Sequence, residues 1–102
     1  MDNLHRLFFK AFSNTTRLEI INLLRMRSLT VTEICAKTGF EQSRVSHNLK
    51  CLEKCGFVKV TRNGNFRKYA LDEDTIVPIV DLLDKHIRKF KKRLECCEVL
   101  RK

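Results

Sequence analysis

The stretch CLEKCG, residues 51–56, sets two thiols four positions apart and closes on a glycine. On a helix, residues i and i+4 are neighbours on one face, and paired thiolates favour soft, large cations over calcium or magnesium. Cys51 and Cys55 are therefore either ligands for a thiophilic metal or small side chains filling space near a helix end. A second pair, Cys96 and Cys97, follows Lys91, Lys92 and Arg93, whose charge favours thiolate formation. It is open to three readings: a source of a third sulfur, a site for a trivalent metalloid, or a pair that oxidises. Cys97 also continues an apolar stripe, where cysteine packs well. Cys35 stands alone and is expected in the core. Five cysteines, with no export signal at the start of the sequence, do not make a disulfide framework.

The residues before CLEKCG carry a different chemistry. In QSRVSHNLK, at about 100° per residue, Val45, Leu49 and Leu52 fall on one side of a helix, while Ser43, Ser46, His47, Lys50 and Lys54 gather opposite. Short hydroxyls and an imidazole can exchange hydrogen bonds with base edges in a major groove. Gln42 can pair bidentately with adenine, and Lys50 suits a phosphate. Arg44 lies between the two faces, within reach of a nucleic-acid backbone. Further on, Arg62, Asn63, Asn65, Arg67 and Lys68 surround the tip NGN, a cationic turn able to touch phosphate or minor groove. The plainer reading of that turn is a charged edge that discourages sheet aggregation.

Charge distribution supports a polyanionic partner. The formal net charge is +9; residues 41–68 hold seven basic and two acidic side chains, and residues 85–102 hold eight and two. Clustered basicity points to nucleic acid, although the run KHIRKFKKRLE reads by itself as a solvated face. Catalysis is not expected. His5, His47 and His86 are scattered, no glycine-rich phosphate loop occurs, and no nucleophile, base and orienting acid form a set. No apolar run is long enough to span a bilayer, and the N-terminus lacks the pattern of a signal peptide, so a cytoplasmic location with no membrane partner is expected.

The elements that must position these groups are short. A chain of 102 residues reads as one small domain. Leu4, Leu7, Phe8, Ala11 and Phe12 predict a first helix. Ser13 or Asn14 caps a second, with Leu18, Ile21, Leu23 and Leu24 as its buried stripe. Thr30 and Glu33 have capping-box spacing before a third helix that Gly39 ends. The fourth runs from a Glu41 cap to a stop at Gly56. FVKVTR and FRKYAL around Asn63-Gly64-Asn65 predict a β-hairpin. Pro78 sets the start of a last helix, whose stripe of Ile79, Leu83, Ile87, Phe90, Leu94 and Cys97 needs a partner. The first helix and the same two helices of a second copy are the candidates, giving a symmetric homodimer.

Short helix, tight turn, polar helix and basic hairpin form a winged helix-turn-helix. LFFKAFSNTTRLEIINLL, LTVTEICAKTGFEQSRVSHNLKCLEKCGFV and RNGNFRKYAL resemble the ArsR/SmtB family of dimeric repressors, and Ser43 through Gly56 fit its pattern SxVSxxLxxLxxxG. The resemblance implies a mainly α fold with a small β-hairpin in one domain: residues 1–12 and 78–100 as dimerisation helices, 30–56 as helix-turn-helix and 57–71 as wing. It further implies that Gln42, Ser43, Ser46 and His47 read a double-stranded DNA operator. Thr15 stands where the family often has proline, and Glu41 is also a departure.

Family sensor sites match unevenly. The third helix lacks the Cys-x-Cys pair of the arsenic type. Asp84 and His86 match only the start of a zinc-type site. Cys51 and Cys55 resemble the cadmium- and lead-sensing branch, in which a third cysteine, here Cys96 or Cys97, joins from the C-terminal region. The expected function is a repressor released from its operator by Cd(II), Pb(II) or another thiophilic metal, or by thiol oxidation. The alternative is a non-sensing DNA-binding or chromatin-associated winged-helix protein.

Overall fold

A computed structural model describes residues 1–101; Lys102, the end of the basic C-terminal segment, lies outside the described residues. The chain divides into two compact units, Met1–Asp72 and one beginning at Glu73. The first holds α1 (Asn3–Phe12), α2 (Thr15–Leu24), α3 (Val31–Thr38), α4 (Gln42–Lys54), β1 (Val58–Asn63) and β2 (Phe66–Leu71). The second holds α5 (Ile76–Lys89), α6 (Lys91–Glu95) and α7 (Glu98–Arg101). The architecture is mainly α with one antiparallel hairpin, as the sequence predicts.

Local chemistry sets the boundaries in the first unit. Asn14 caps α2, its side-chain oxygen accepting from the Arg17 amide at 3.0 Å. In α3, Thr30 Oγ1 accepts from the Glu33 amide at 3.2 Å and Glu33 Oε1 accepts from the Thr30 amide at 2.9 Å, a reciprocal capping box. At the end of α4 the Phe57 amide donates to Leu52 O at 2.9 Å and the Gly56 amide to Glu53 O at 3.1 Å. That pair of bonds requires the left-handed backbone Gly56 adopts, with φ +79°, which glycine accepts without a Cβ penalty. The strands pair from Val58 opposite Leu71 to Asn63 opposite Phe66, leaving Gly64 and Asn65 as a two-residue turn with φ +63° at its first position. Leu29 extends the sheet by a single bridge, exchanging backbone hydrogen bonds with Tyr69 at 3.0 and 2.8 Å.

The core of this unit is the inward face of α2, α3 and α4 against the hairpin. Ile20, Ile34, Val45, Leu49 and Leu52 are all fully buried, and Leu29, Ile21, Phe57, Val58 and Leu71 nearly so. Phe8, Phe12 and Phe57 form an aromatic cluster with ring centroids 4.9 to 5.5 Å apart.

Three expectations change. In α2 the buried residues are Thr16, Ile20, Ile21 and Leu24, while Leu18 is 42% exposed. LEIINLL is apolar on nearly every side, so periodicity alone could not choose the face. The last helix begins at Ile76 rather than Pro78, which sits in the first turn, where its missing N–H removes no intrahelical bond. The helix expected over 78–100 is also not continuous: α5 ends at Lys89, its C-cap Phe90 having φ −118°, and two short helices follow. Arg88, Lys89, Lys91, Lys92 and Arg93 crowd that break, and like charges at helical spacing destabilise a helix. Lys89 Nζ and the Arg93 guanidinium lie 5.4 and 5.0 Å from the centre of the Phe90 ring. Among the described residues no helix is long and apolar enough to cross a membrane.

Leu49→Ala should cost about 2–5 kcal/mol in urea denaturation, the range for truncating a fully buried leucine. Hydrogen bonds in the capping box, that from the Thr30 amide foremost, hold the Glu33 carboxyl below its usual range. Its stabilising contribution is complete above the ordinary value of 4.5 and is lost as pH falls through the lower folded value. Acid titration of stability should therefore be shallower in Glu33→Gln than in the wild type.

Candidate nucleic-acid interface and thiol pair

Helix α4 has one dry edge and one wet face. Val45, Leu49 and Leu52 have no exposed surface, whereas Gln42, Ser43, Arg44, Ser46, His47 and Lys50 are exposed. The outward position expected for Ser43 and His47 is the one they occupy. Glu41 supplies the N-cap position without a side-chain cap hydrogen bond.

A polar layer that periodicity does not reveal fixes this helix in place. Asn48, only 8% exposed, lies beside the apolar edge and donates through Nδ2 to Arg44 O at 2.8 Å. Its Oδ1 accepts from Arg17 of α2 at 3.2 Å. The same guanidinium donates through Nε to Ala11 O at 2.6 Å and through its other terminal nitrogen to Lys10 O at 3.3 Å. One arginine thus ties the C-terminal carbonyls of α1, which have no partners inside their helix, to the back of α4. Arg44 is also committed. Nε and one terminal nitrogen donate to Thr16 Oγ1 at 2.9 and 2.6 Å, and the guanidinium carbon lies 3.8 Å from the Phe40 ring centre. Sequence reasoning offers Arg44 to a nucleic-acid backbone; the side chain is exposed, and two of its nitrogens hold α4 to α2. The signal for the layer was present: Asn48 falls at helical spacing among Val45, Leu49 and Leu52.

The hairpin tip is cationic and exposed at Arg62, Asn63, Asn65, Arg67 and Lys68. Arg62 pairs directly with Arg67, and Thr61 with Lys68. Like charges directly opposite one another weaken a hairpin. Phe66, paired with Asn63 beside the turn, is exposed as well.

At the other end of α4, Cys51 is half-buried and Cys55, the C-cap residue, is exposed. They stand one helical turn apart, the Cys55 amide donating to Cys51 O at 3.0 Å. Cys55 also lines a cleft of about 230 Å³ with Leu4, Leu7, Phe8, Ala11 and Phe57. Partial burial there, and then the neighbouring Cys51 sulfur, push the Cys55 thiol above its usual range, with Arg17 opposing. Cys35, expected in the core, is half-buried; Cys96 is exposed and Cys97 half-buried, and the two link α6 to α7. All five thiols are free. Among the described residues no group of three or more His, Cys, Asp and Glu side chains is placed to hold a metal ion. The His86 ring lies against Phe90, with centroids 4.8 Å apart.

The family model described as "Bacterial regulatory protein, arsR family" matches residues 14–60, which span α2 through the first residues of β1. A probable mercury resistance operon repressor of Streptomyces lividans is 30% identical over 90 residues, covering 88% of this chain and 72% of the relative. The chain belongs to the arsR family. An HTH-type transcriptional regulator of Methanocaldococcus jannaschii is 36% identical over 77 residues, covering 74% of this chain and 86% of its own length. Among solved structures, M. tuberculosis Rv0081 superposes on this arsR-family chain with a TM-score of 0.80, 28% identity and coverage of 92% and 99% of the two chains. The regulator HlyU from Vibrio vulnificus gives 0.71 at 30% identity, covering 79% and 84%.

Asn48→Ala should leave Arg17 without a side-chain acceptor and cost about 1–3 kcal/mol in chemical denaturation, as expected when a buried polar contact loses one partner.

Proposed function

We propose that this arsR-family protein is a DNA-binding transcriptional repressor acting as a homodimer on a double-stranded operator. One observation carries the reading: α4 buries Val45, Leu49 and Leu52 completely and turns Gln42, Ser43, Ser46 and His47 outward. A helix anchored by one edge with short polar side chains on the other can enter a major groove. In this reading those four residues contact base edges, Lys50 takes a phosphate, and the hairpin residues Arg62, Asn63, Asn65, Arg67 and Lys68 grip the flanking backbone or minor groove. Arg44 acts through Thr16 and Phe40 to hold the helix at its angle. The exposed apolar residues Leu4, Leu7 and Phe9 of α1, and Leu82, Leu83 and Ile87 of α5, are surfaces that a second copy would cover.

The inducer in this reading is a thiophilic metal or metalloid held by Cys51 and Cys55. The relative named for mercury resistance supports it, as does an arsenical resistance operon repressor of Staphylococcus xylosus, 32% identical over 75 residues. A ligand that fits the thiols better in one setting of α4 than in another shifts the dimer away from DNA by that difference in affinity.

Binding to a selected operator duplex, measured across a salt series, tests the first part. Affinity should fall steeply with salt, and Lys50→Ala or Arg67→Ala should each make the slope shallower by about 0.9 if it removes one phosphate contact. His47→Ala should instead relax discrimination at one base position by about 1–3 kcal/mol at unchanged slope. Salt-independent binding, or none, would contradict the repressor reading. Unchanged operator affinity on adding Cd(II) under reducing conditions would remove the metal as inducer.

A further inference from the structure

Successive side chains of a strand point to opposite faces, and residues paired across a hairpin share a face. The register therefore sorts β1 and β2 into two sets. One set is turned to the core: Val58, Tyr69 and Leu71 are buried, Val60 is half-buried, and toward the turn this face ends in the Arg62–Arg67 pair. The other set runs from Lys59 and Ala70 through Thr61 and Lys68 to Asn63 and Phe66, and all of it but Ala70 is exposed. Phe66 thus stands on the open face, beside the turn, and is 68% exposed. Its cross-strand partner is an asparagine, and the next pair on that face is a threonine and a lysine, so its place in the hairpin supplies no apolar neighbour. Cations surround it instead: Arg67 follows it in the chain, Lys68 lies on its own face, and Arg62 sits opposite Arg67. An apolar ring among cations suits a partner that is anionic outside and apolar within. Duplex DNA is such a partner, with phosphates along its edge and stacked base faces inside.

We infer that Phe66 is a wedge: it enters the minor groove beside the half-site read by α4, partly unstacks one base step and bends the duplex there. This rests on the reading of α4 and the hairpin as the DNA-contacting surface, and adds to the phosphate contacts a deformation with its own sequence preference. The parts divide the work. Arg62, Arg67 and Lys68 meet phosphates whatever the sequence and hold the tip against the groove. The ring leaves water for the face of a base, the device by which apolar side chains, phenylalanine among them, kink DNA from the minor groove. Unstacking is easiest at pyrimidine–purine steps, TA and CA/TG. The hairpin therefore selects for such a step without a hydrogen bond to any base edge, and a homodimer places one wedge on each flank of its operator.

The test titrates the full-length protein into a selected operator duplex that carries 2-aminopurine, one position at a time, through the steps flanking the α4 half-sites. This base brightens when it loses its stacking partners. Wild type should brighten it at one step on each flank, and circularly permuted fragments should migrate as bent DNA. Phe66→Ala should abolish the brightening and weaken binding by at least about fivefold, the lower end for losing one base–aromatic stack. Its salt slope should stay unchanged, because no charge is lost. Arg67→Ala should do the opposite, making the slope shallower while the saturated complex still brightens. Phe66→Leu, which keeps an apolar wedge, should retain part of the signal. An aromatic residue also supports a strand, so Phe66→Thr, which keeps strand propensity without the ring, must behave as Phe66→Ala does. Brightening that persists in either ring-less variant, or operator binding by the wild type with no brightening at any flanking step, would overturn the wedge and leave the repressor reading standing. So would a change of oligomeric state in Phe66→Thr with operator binding unaltered, which would assign the ring to a contact between copies. Failure of the wild type to bind any duplex would remove both readings.

Discussion

Three side chains on α4 with no solvent exposure, Val45, Leu49 and Leu52, hold that helix by a single edge, and the other functional features of the first unit are arranged around it. A helix fixed in this way has a rotation it cannot change without opening the core. Rotation decides which residues face out, so the burial that stabilises the unit also determines that Ser43 and His47 meet solvent. Hydrophobic contact resists rotation but specifies an angle poorly, because it is non-directional. The polar layer supplies direction. Arg17 reaches Asn48 on α4 and two carbonyls at the end of α1, while Arg44 reaches Thr16 on α2, so three helices share hydrogen bonds of defined geometry.

The same helix carries both proposed activities at opposite ends. Its N-terminal half presents the polar residues offered to DNA, and its last turn presents Cys51 and Cys55. The Schellman bonds at Gly56 fix where the last turn stops, and with it where Cys55 stands relative to Phe57 and α1. A ligand drawing the two sulfurs together acts on a rigid rod rather than on a flexible loop. Arg17 lies close enough to Cys55 to oppose the rise in its thiol pKa, and it is the residue that joins α1 to α4.

How legible all this is in the sequence depends on how local its cause is. The Thr30 and Glu33 cap, the stop at Gly56, the hairpin turn and the dry edge of α4 each follow from residues within a turn or two of one another, and each is found as the sequence predicts. The buried face of α2 was misjudged at Leu18 because a helix apolar on most sides takes its orientation from its neighbours. The break at Phe90 was missed because an apolar stripe continues through it, while the like charges that disfavour a continuous helix lie off the stripe. Arg44 could not be assigned to Thr16, 28 residues away, from spacing. Nor could the cleft beside Cys55, whose walls come from α1 and from the residue after Gly56.

The outward face of α4 is the surface proposed to meet DNA, and the three histidines allow a direct reading of it. His5 sits at the start of α1, bonded to Asp2 at 3.0 Å, His47 is on the outward face of α4, and His86 lies against Phe90 in α5. Carbethoxylation of the full-length protein by diethyl pyrocarbonate, located by peptide mass spectrometry with and without operator duplex, compares the three sites in one experiment. DNA should protect His47 and leave the reactivity of His5 and His86 unchanged. A His47 that reacts equally fast in the complex, with protection appearing at His5 or His86 instead, would contradict the account.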